Sequence, residues 1–144
     1  MPSLVEQLLK DVPRSPAGRD APLSKMIRSV RTGVRSSRAQ QTFRELDLSV
    51  DEASRSIGLS VRTFQRRKAG RQRLDPIESE KVLRLARVAD AATETLGTRE
   101  AARLWLRLPN VALGNQSPLT LLDTDIGASA VLDTLTRLES GVFS

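Results

Sequence analysis

The chain has 144 residues, enough for one ordinary domain or two small helical units sharing a core, and its 39% hydrophobic and 28% charged residues are the balance of a chain that folds. It contains no Cys and no His, which excludes disulfides, thiolate nucleophiles, the usual Zn ligand sets and the commonest general base near neutral pH. The formal charge of +6 is uneven, with 16 Lys/Arg against 8 Asp/Glu up to Asp75 and 7 against 9 thereafter, so the first half is expected to face a polyanion while the second need not.

No charged start followed by an apolar run is present, and no stretch approaches the roughly 20 apolar residues of a membrane span, so the expected location is the cytoplasm. One Trp, three Phe and no Tyr leave the core to Leu, Val, Ile and Ala, a mixture that suits packed helices. With no segment of β period and no internal repeat, the expected fold is all-α. Three regions are expected: a partly helical extension over 1–35, a helix-turn-helix over 36–74, and a helical C-terminal unit over 75–144.

In chain order, Leu4 to Leu9 is a short helix, and Pro13, Pro16 and Gly18 punctuate a linker. Apolar residues at helical spacing predict helices over Pro22 to Val34 and Ser37 to Leu46, with Arg28, Arg31, Arg35, Arg38 and Arg44 on the outside. Ser49 and Glu52 form a capping box for a helix that stops at Gly58, and Ser60 caps the next, which runs toward Ala69-Gly70. Asp75, Pro76 and Glu78 cap the longest helix, which presents Val82, Leu85, Ala86, Ala89 and Leu96 on one stripe and stops at Gly97. Thr98 restarts a helix over Arg99 to Leu108 that carries Trp105, and Pro109-Asn110 breaks it. Val111 to Asn115 is irregular, Ser117-Pro118 caps a short helix through Leu122, and an amphipathic helix runs from Ala128 to Leu138 before Gly141.

Residues 51–68 have the layout of a helix-turn-helix. Ser54 allows close helix approach, Gly58 supplies a left-handed turn, and Ile57, Leu59 and Phe64 fill the space between the helices. The exposed face then offers Val61, Arg62, Thr63, Gln65, Arg66, Arg67 and Lys68, with Arg71 and Arg73 beyond. Arg can read guanine, and Gln adenine, by paired hydrogen bonds in the major groove. The competing reading is a helix-turn-helix whose arginines are merely solvated while the fold serves dimerisation or another partner.

Catalysis has little to draw on, since Asp123, Asp125 and Glu139 stand without a phosphate loop or metal-ligand spacing. The C-terminal third instead holds an ordered series: Trp105-Leu-Arg-Leu-Pro-Asn110, Leu113-Gly114, Ser117-Pro118-Leu119, Leu121-Leu122-Asp123 and Leu138-Glu139-Ser140-Gly141-Val142-Phe143. Together with the Gly58-Leu59-Ser60 turn and the Asp75-Pro76 helix start, this series resembles the MbcA/ParS/Xre antitoxins over roughly Leu48 to Ser144. The first forty or so residues carry no such resemblance.

The resemblance implies a partner rather than a substrate: a cognate RES-domain toxin that consumes NAD, by hydrolysis or by ADP-ribose transfer. It implies no cofactor for this chain, an occluding role for the C-terminal region at the toxin's NAD pocket, a helix-turn-helix that represses its own operon, and a homodimer within a larger complex. Trp105, Pro109, Asn110, Leu113, Gly114, Pro118, Leu119 and Leu122 are then expected to form a kinked apolar surface with polar contacts, and Gly141, Val142 and Phe143 an inserting tail. Two plainer readings stay open: the tryptophan and leucines as core, and Val142-Phe143 packed back on its own helix. A stand-alone helix-turn-helix regulator is the functional alternative, and it leaves the C-terminal series unexplained.

Overall fold

The computed structural model describes residues 2–13 and 21–141. Eight α-helices lie there: α1 (Leu4–Leu8), α2 (Pro22–Thr32), α3 (Ser36–Glu45), α4 (Val50–Ser56), α5 (Val61–Ala69), α6 (Pro76–Leu96), α7 (Arg99–Arg107) and α8 (Asp125–Glu139). Two 3-10 turns, Val111–Leu113 and Pro118–Leu121, connect α7 to α8. The all-α expectation holds: among the described residues the extended pairing amounts to isolated bridges, Arg35 with Arg73 and Asn110 with Gln116. Pro16 and Gly18 of the expected linker lie outside the described residues.

The long helix α6 organises the rest. Its start is the capping box read from the sequence, with the Glu78 amide donating to Asp75 Oδ1 at 2.7 Å and the Asp75 amide to Glu78 Oε1 at 2.8 Å. Its end is Gly97 at φ +94°, a conformation that glycine alone adopts without strain. Between them Val82, Leu83, Leu85, Ala86, Val88, Ala89 and Ala92 are all buried, which is more than one stripe, and α1, α2, α7 and α8 pack around the helix. One apolar cluster therefore runs from Leu4 to Leu135 through both halves of the chain. The short α1 belongs to it: Leu4 and Leu8 are buried, and the Leu4 and Val5 amides donate to the Asp90 carboxylate of α6 at 2.8 and 2.9 Å. Asp90 thus satisfies first-turn amides that a helix cannot satisfy itself.

Several expectations need correction. Arg38 is not a free outer arginine, because its guanidinium donates to Asp11 at 2.7 Å. Ser117 makes no side-chain cap, and the expected helix after it is a 3-10 turn stiffened by Thr120 Oγ1 donating to Ser117 O at 2.7 Å. Leu138, where the predicted helix ends, is 37% exposed, while Ala128, Val131 and Leu135 of the same helix are buried.

The last helix begins at Asp125, three residues before the predicted start, with Thr124 accepting from the Gly127 amide at 3.0 Å. Gly127 hid this start, since glycine in a sequence signals a break. The structure gives another reason for it: a Cβ there would lie 1.9 Å from Leu121 O. Gly127→Ala should therefore destabilise the protein by about 2 kcal/mol or more, because overpacking outweighs the roughly 1 kcal/mol gained in helix propensity. Chemical denaturation would measure it, and an unchanged or raised midpoint would contradict the close approach.

Candidate functional site

Two faces of the molecule offer themselves, and α6 and α7 hold them in fixed relation. The first is built on α4 and α5. Ser49 and Glu52 close the α4 capping box, the Glu52 amide donating to Ser49 Oγ at 3.1 Å and the Ser49 amide to Glu52 Oε1 at 3.4 Å. Beyond the helix end Gly58 adopts φ +70°, and its carbonyl accepts from Lys81 Nζ of α6 at 2.6 Å. Ser60 then caps α5 by accepting from the Thr63 amide at 3.2 Å. Ala53, Ser54, Ile57, Leu59 and Phe64 are buried, and the Phe64 ring meets Phe43 of α3 at a centroid distance of 5.4 Å, tilted 49°, a favourable aromatic geometry.

That packing turns Arg62, Gln65, Arg66 and Lys68 outward to solvent, with Arg71 close behind. No acidic residue occurs between Gly58 and Leu74. Thr63 is half-buried at the helix start. Arg67 faces the other way, its Nε donating to Glu78 Oε1 at 3.0 Å and its Nη2 lying 3.8 Å from Asp75, so it ties α5 to the start of α6. Arg73 is likewise occupied, donating to Gly33 O at 2.8 Å.

The second face lies on α7 and the turn after it. Leu113, Pro118, Leu119 and Leu122 are buried, because the first 3-10 turn packs on α8 and the second on α4, α7 and α8. These four are core and drop out of the expected apolar surface. Trp105 is half-buried against the core. Pro109 and Gly114 are exposed, with Gly114 at φ +67° and Asn115 at φ +63° making the reversal. Asn110 is a local organiser: its side chain accepts from the Ala112 amide at 2.9 Å and its backbone amide donates to Gln116 O at 3.0 Å.

What faces solvent instead is Leu104 at 59%, Leu108 at 56% and Val111 at 85% exposure, with Pro109 among them. The i, i+4 spacing of Leu104 and Leu108 put them on one face in the sequence, but only the packing of Ala102 and Leu106 into the core shows that this face is the outer one. Gly141, at φ +69°, is exposed after α8, and Val142, Phe143 and Ser144 lie outside the described residues.

On the side of α7 nearer the core, Arg99, Arg103 and Arg107 reach the corner between α3 and α4. Arg99 meets Glu45 Oε2 at 3.0 Å, Arg103 Nε donates to Glu45 O at 2.7 Å, and Arg107 meets Glu52 Oε2 at 3.1 Å and also donates to Asp47 O. Two carboxylates are held below their ordinary range by such contacts. The Ser49 amide, then Arg107, lowers Glu52, and hydrogen bonding from Arg38 lowers Asp11 against the opposing effect of burial.

Together these features define a helix-turn-helix protein whose C-terminal helical unit is braced on the helix-turn-helix itself. Residues 25–87 match the family model described as the antitoxin Xre-like helix-turn-helix domain, and residues 91–141 match that of the antitoxin Xre/MbcA/ParS C-terminal toxin-binding domain. The chain belongs to the Xre/MbcA/ParS antitoxin family. It is 42% identical over 94 residues to "Antitoxin Xre" of Yersinia enterocolitica, covering 65% of this chain and 64% of that protein. It is 33% identical over 91 residues to "Antitoxin Xre" of Photorhabdus laumondii, covering 62% of each. A Sphingobium relative, "Prs ADP-ribosylating antitoxin", is 28% identical over 124 residues, 80% of this chain and 78% of that one. The chain thus spans less than two thirds of the length of the two Xre relatives. Among the described residues no helix is long and apolar enough to cross a membrane, and no group of three or more acidic residues is placed to hold a metal ion.

The lowered carboxylates set an acid dependence. A carboxylate whose folded pKa lies below its unfolded value adds stability above the unfolded value, and this is lost as pH falls through the folded one. The denaturation midpoint should be flat from pH 7 to about 5 and fall below about 4 as Asp11 and Glu52 protonate. Each contributes on the order of 0.5 kcal/mol or less, since both are partly solvated. In Arg107→Gln the acid loss should be shallower, and a titration curve superimposable on the wild type would refute the pairing.

Proposed function

We propose that this protein is an antitoxin that covers the NAD-pocket entrance of a RES-domain toxin with the outer face of α7 and the turn after it, and that represses its own operon through α5. The observation that carries the reading is the run of exposed apolar side chains, Leu104, Leu108, Pro109 and Val111, within the span that matches a toxin-binding domain. Solvent-facing leucines one turn apart beside a rigid kink are a pre-organised anchor, and ordering them costs little on binding. The name of the Sphingobium relative, which joins an antitoxin to ADP-ribosylation, supports a toxin that consumes NAD. The chain itself then performs no chemistry, works in the cytoplasm where operator and toxin meet, and pairs as a homodimer so that two helix-turn-helices reach two half-sites about 34–36 Å apart.

The toxin-facing part is tested by Leu108→Asp and Val111→Asp. Each should lower affinity for the RES-domain protein encoded beside this gene by roughly 100-fold, a loss of about 2–3 kcal/mol, with the helical spectrum retained because both side chains already face water. Unchanged affinity in both variants would remove this face from the interface. Retained operator binding with no toxin association at all would leave the stand-alone regulator.

The DNA-facing part rests on Arg62, Gln65, Arg66 and Lys68. Arg66→Ala should cost about 1–3 kcal/mol on the cognate promoter and relax its sequence preference, as expected for a base-reading arginine. Lys68→Ala should weaken all sequences alike and reduce the slope of log affinity against log salt by about one. Promoter-shift titrations at several salt concentrations would measure both, and absence of any shift with and without toxin would end the operator assignment.

A further inference from the structure

The three arginines of α7 stand four residues apart, so they share one side of the helix, and all three are directed at one corner of the helix-turn-helix. Arg107 has the most consequential position. Its guanidinium donates to Asp47 O and meets Glu52 Oε2 at 3.1 Å, while the other oxygen of the same carboxylate accepts from the Ser49 amide to cap α4. Asp47 itself sits at φ +55°, a left-handed conformation that Asp adopts more readily than most residues with a Cβ, and its carbonyl is the one that Arg107 takes. From this corner α4 departs, and the Gly58 turn at its far end aims α5. The residue next to Arg107 is Leu108, on the outward face.

We infer that Arg107 is a positioning residue for DNA recognition, through which occupation of the outer face of α7 is transmitted to α5. This rests on the reading of α5 as the DNA-facing helix and of α7 as the toxin-facing one. A partner seated on Leu104 and Leu108 immobilises α7, α7 holds the Asp47–Glu52 corner, and the helix-turn-helix then loses less freedom when it docks on DNA. The linkage is positive and reciprocal: toxin tightens operator binding, and operator tightens toxin binding by the same factor.

The full chain serves for the test, with Arg107→Gln as the variant and Glu52→Gln as a control, since glutamine keeps a capping-box partner for Ser49 while losing the ion pair. Hydrogen exchange at the amides of 47–57 in the free protein should speed up several-fold in Arg107→Gln. Promoter affinity should fall about 10-fold in Arg107→Gln, with the salt slope unchanged because no phosphate contact is lost, and in the same direction in Glu52→Gln, without additivity in the double variant. Adding the RES-domain protein encoded beside this gene should tighten promoter binding of the wild type about 5-fold or more and leave Arg107→Gln unaffected.

Unaltered exchange in Arg107→Gln overturns the inference whatever DNA does. Faster exchange with unchanged promoter affinity overturns it too. A salt slope reduced by about one identifies Arg107 as a direct phosphate contact instead. Equal tightening by toxin in wild type and variant removes the transmission. If the wild type fails to bind its promoter at any salt concentration, the DNA reading has failed on its own, and the exchange measurement still decides whether the corner is held by Arg107.

Discussion

A helix can serve two functional units at once only if it is apolar around most of its circumference, and α6 meets that constraint. Its buried residues Val82, Leu83, Leu85, Ala86, Val88, Ala89 and Ala92 face α1, α2, α7 and α8 in turn, and small alanines let those neighbours come close. At about 1.5–3 kcal/mol for each fully buried large aliphatic side chain, the valines and leucines of this one helix supply a large share of what orders the chain. Its polar groups are spent on its neighbours as well. Asp90 caps α1, Lys81 takes the carbonyl at the helix-turn-helix turn, and Arg84 donates to Leu122 O at 3.1 Å and meets Asp125 at 2.6 Å. The α7 face is therefore packed on α6 directly and the α5 face is tied to it by Lys81 and by the Arg67–Glu78 pair, within one shared apolar cluster.

The basic character of the chain divides by use once the contacts are known. Arg38, Arg67, Arg73, Arg84, Arg99, Arg103 and Arg107 are occupied with carboxylates or backbone carbonyls. Arg62, Arg66, Lys68 and Arg71 keep their heads in water along α5 and just past it. A charge count over the first half cannot separate these groups, because an arginine that braces two helices and one that faces solvent are the same letter. The separation decides what a substitution does. Loss of an internal arginine strands a partner carboxylate or carbonyl, whereas loss of an outward one changes only the field that a polyanion meets.

What the sequence made legible was governed by local rules. Ser49 with Glu52, Ser60 with Thr63, Asp75 with Glu78, and Gly97 at the end of α6 are interactions within four residues, and each stands where residue type and spacing placed it. The small helix-turn-helix core of Ile57, Leu59 and Phe64 was legible for the same reason. The C-terminal surface was not, because burial there is decided by how two 3-10 turns pack back on α4, α7 and α8. Leu113, Leu119 and Leu122 went inside, while Leu104, Leu108 and Val111, equally apolar, stayed out. Gly127 shows the same limit from the other side: its role is a backbone approach to Leu121 O, which no helical period reveals.

The burial of those leucines and the exposure of the others follow from one another. Pro109 ends α7 and Asn110 fixes the turn after it, accepting from the Ala112 amide and pairing with Gln116, so the chain must reverse within a few residues. Reversal packs the turn of Leu113 on α8 and the turn of Leu119 on α7 and α8, in the same apolar cluster as Ala102 and Leu106. Among the described residues nothing covers the opposite side of α7, and Leu104 and Leu108 remain in water there. The arginines between these two sides bind the helix to the α3–α4 corner through three successive turns. The apolar face is consequently presented on a helix whose other side is tied to that corner through Arg99, Arg103 and Arg107.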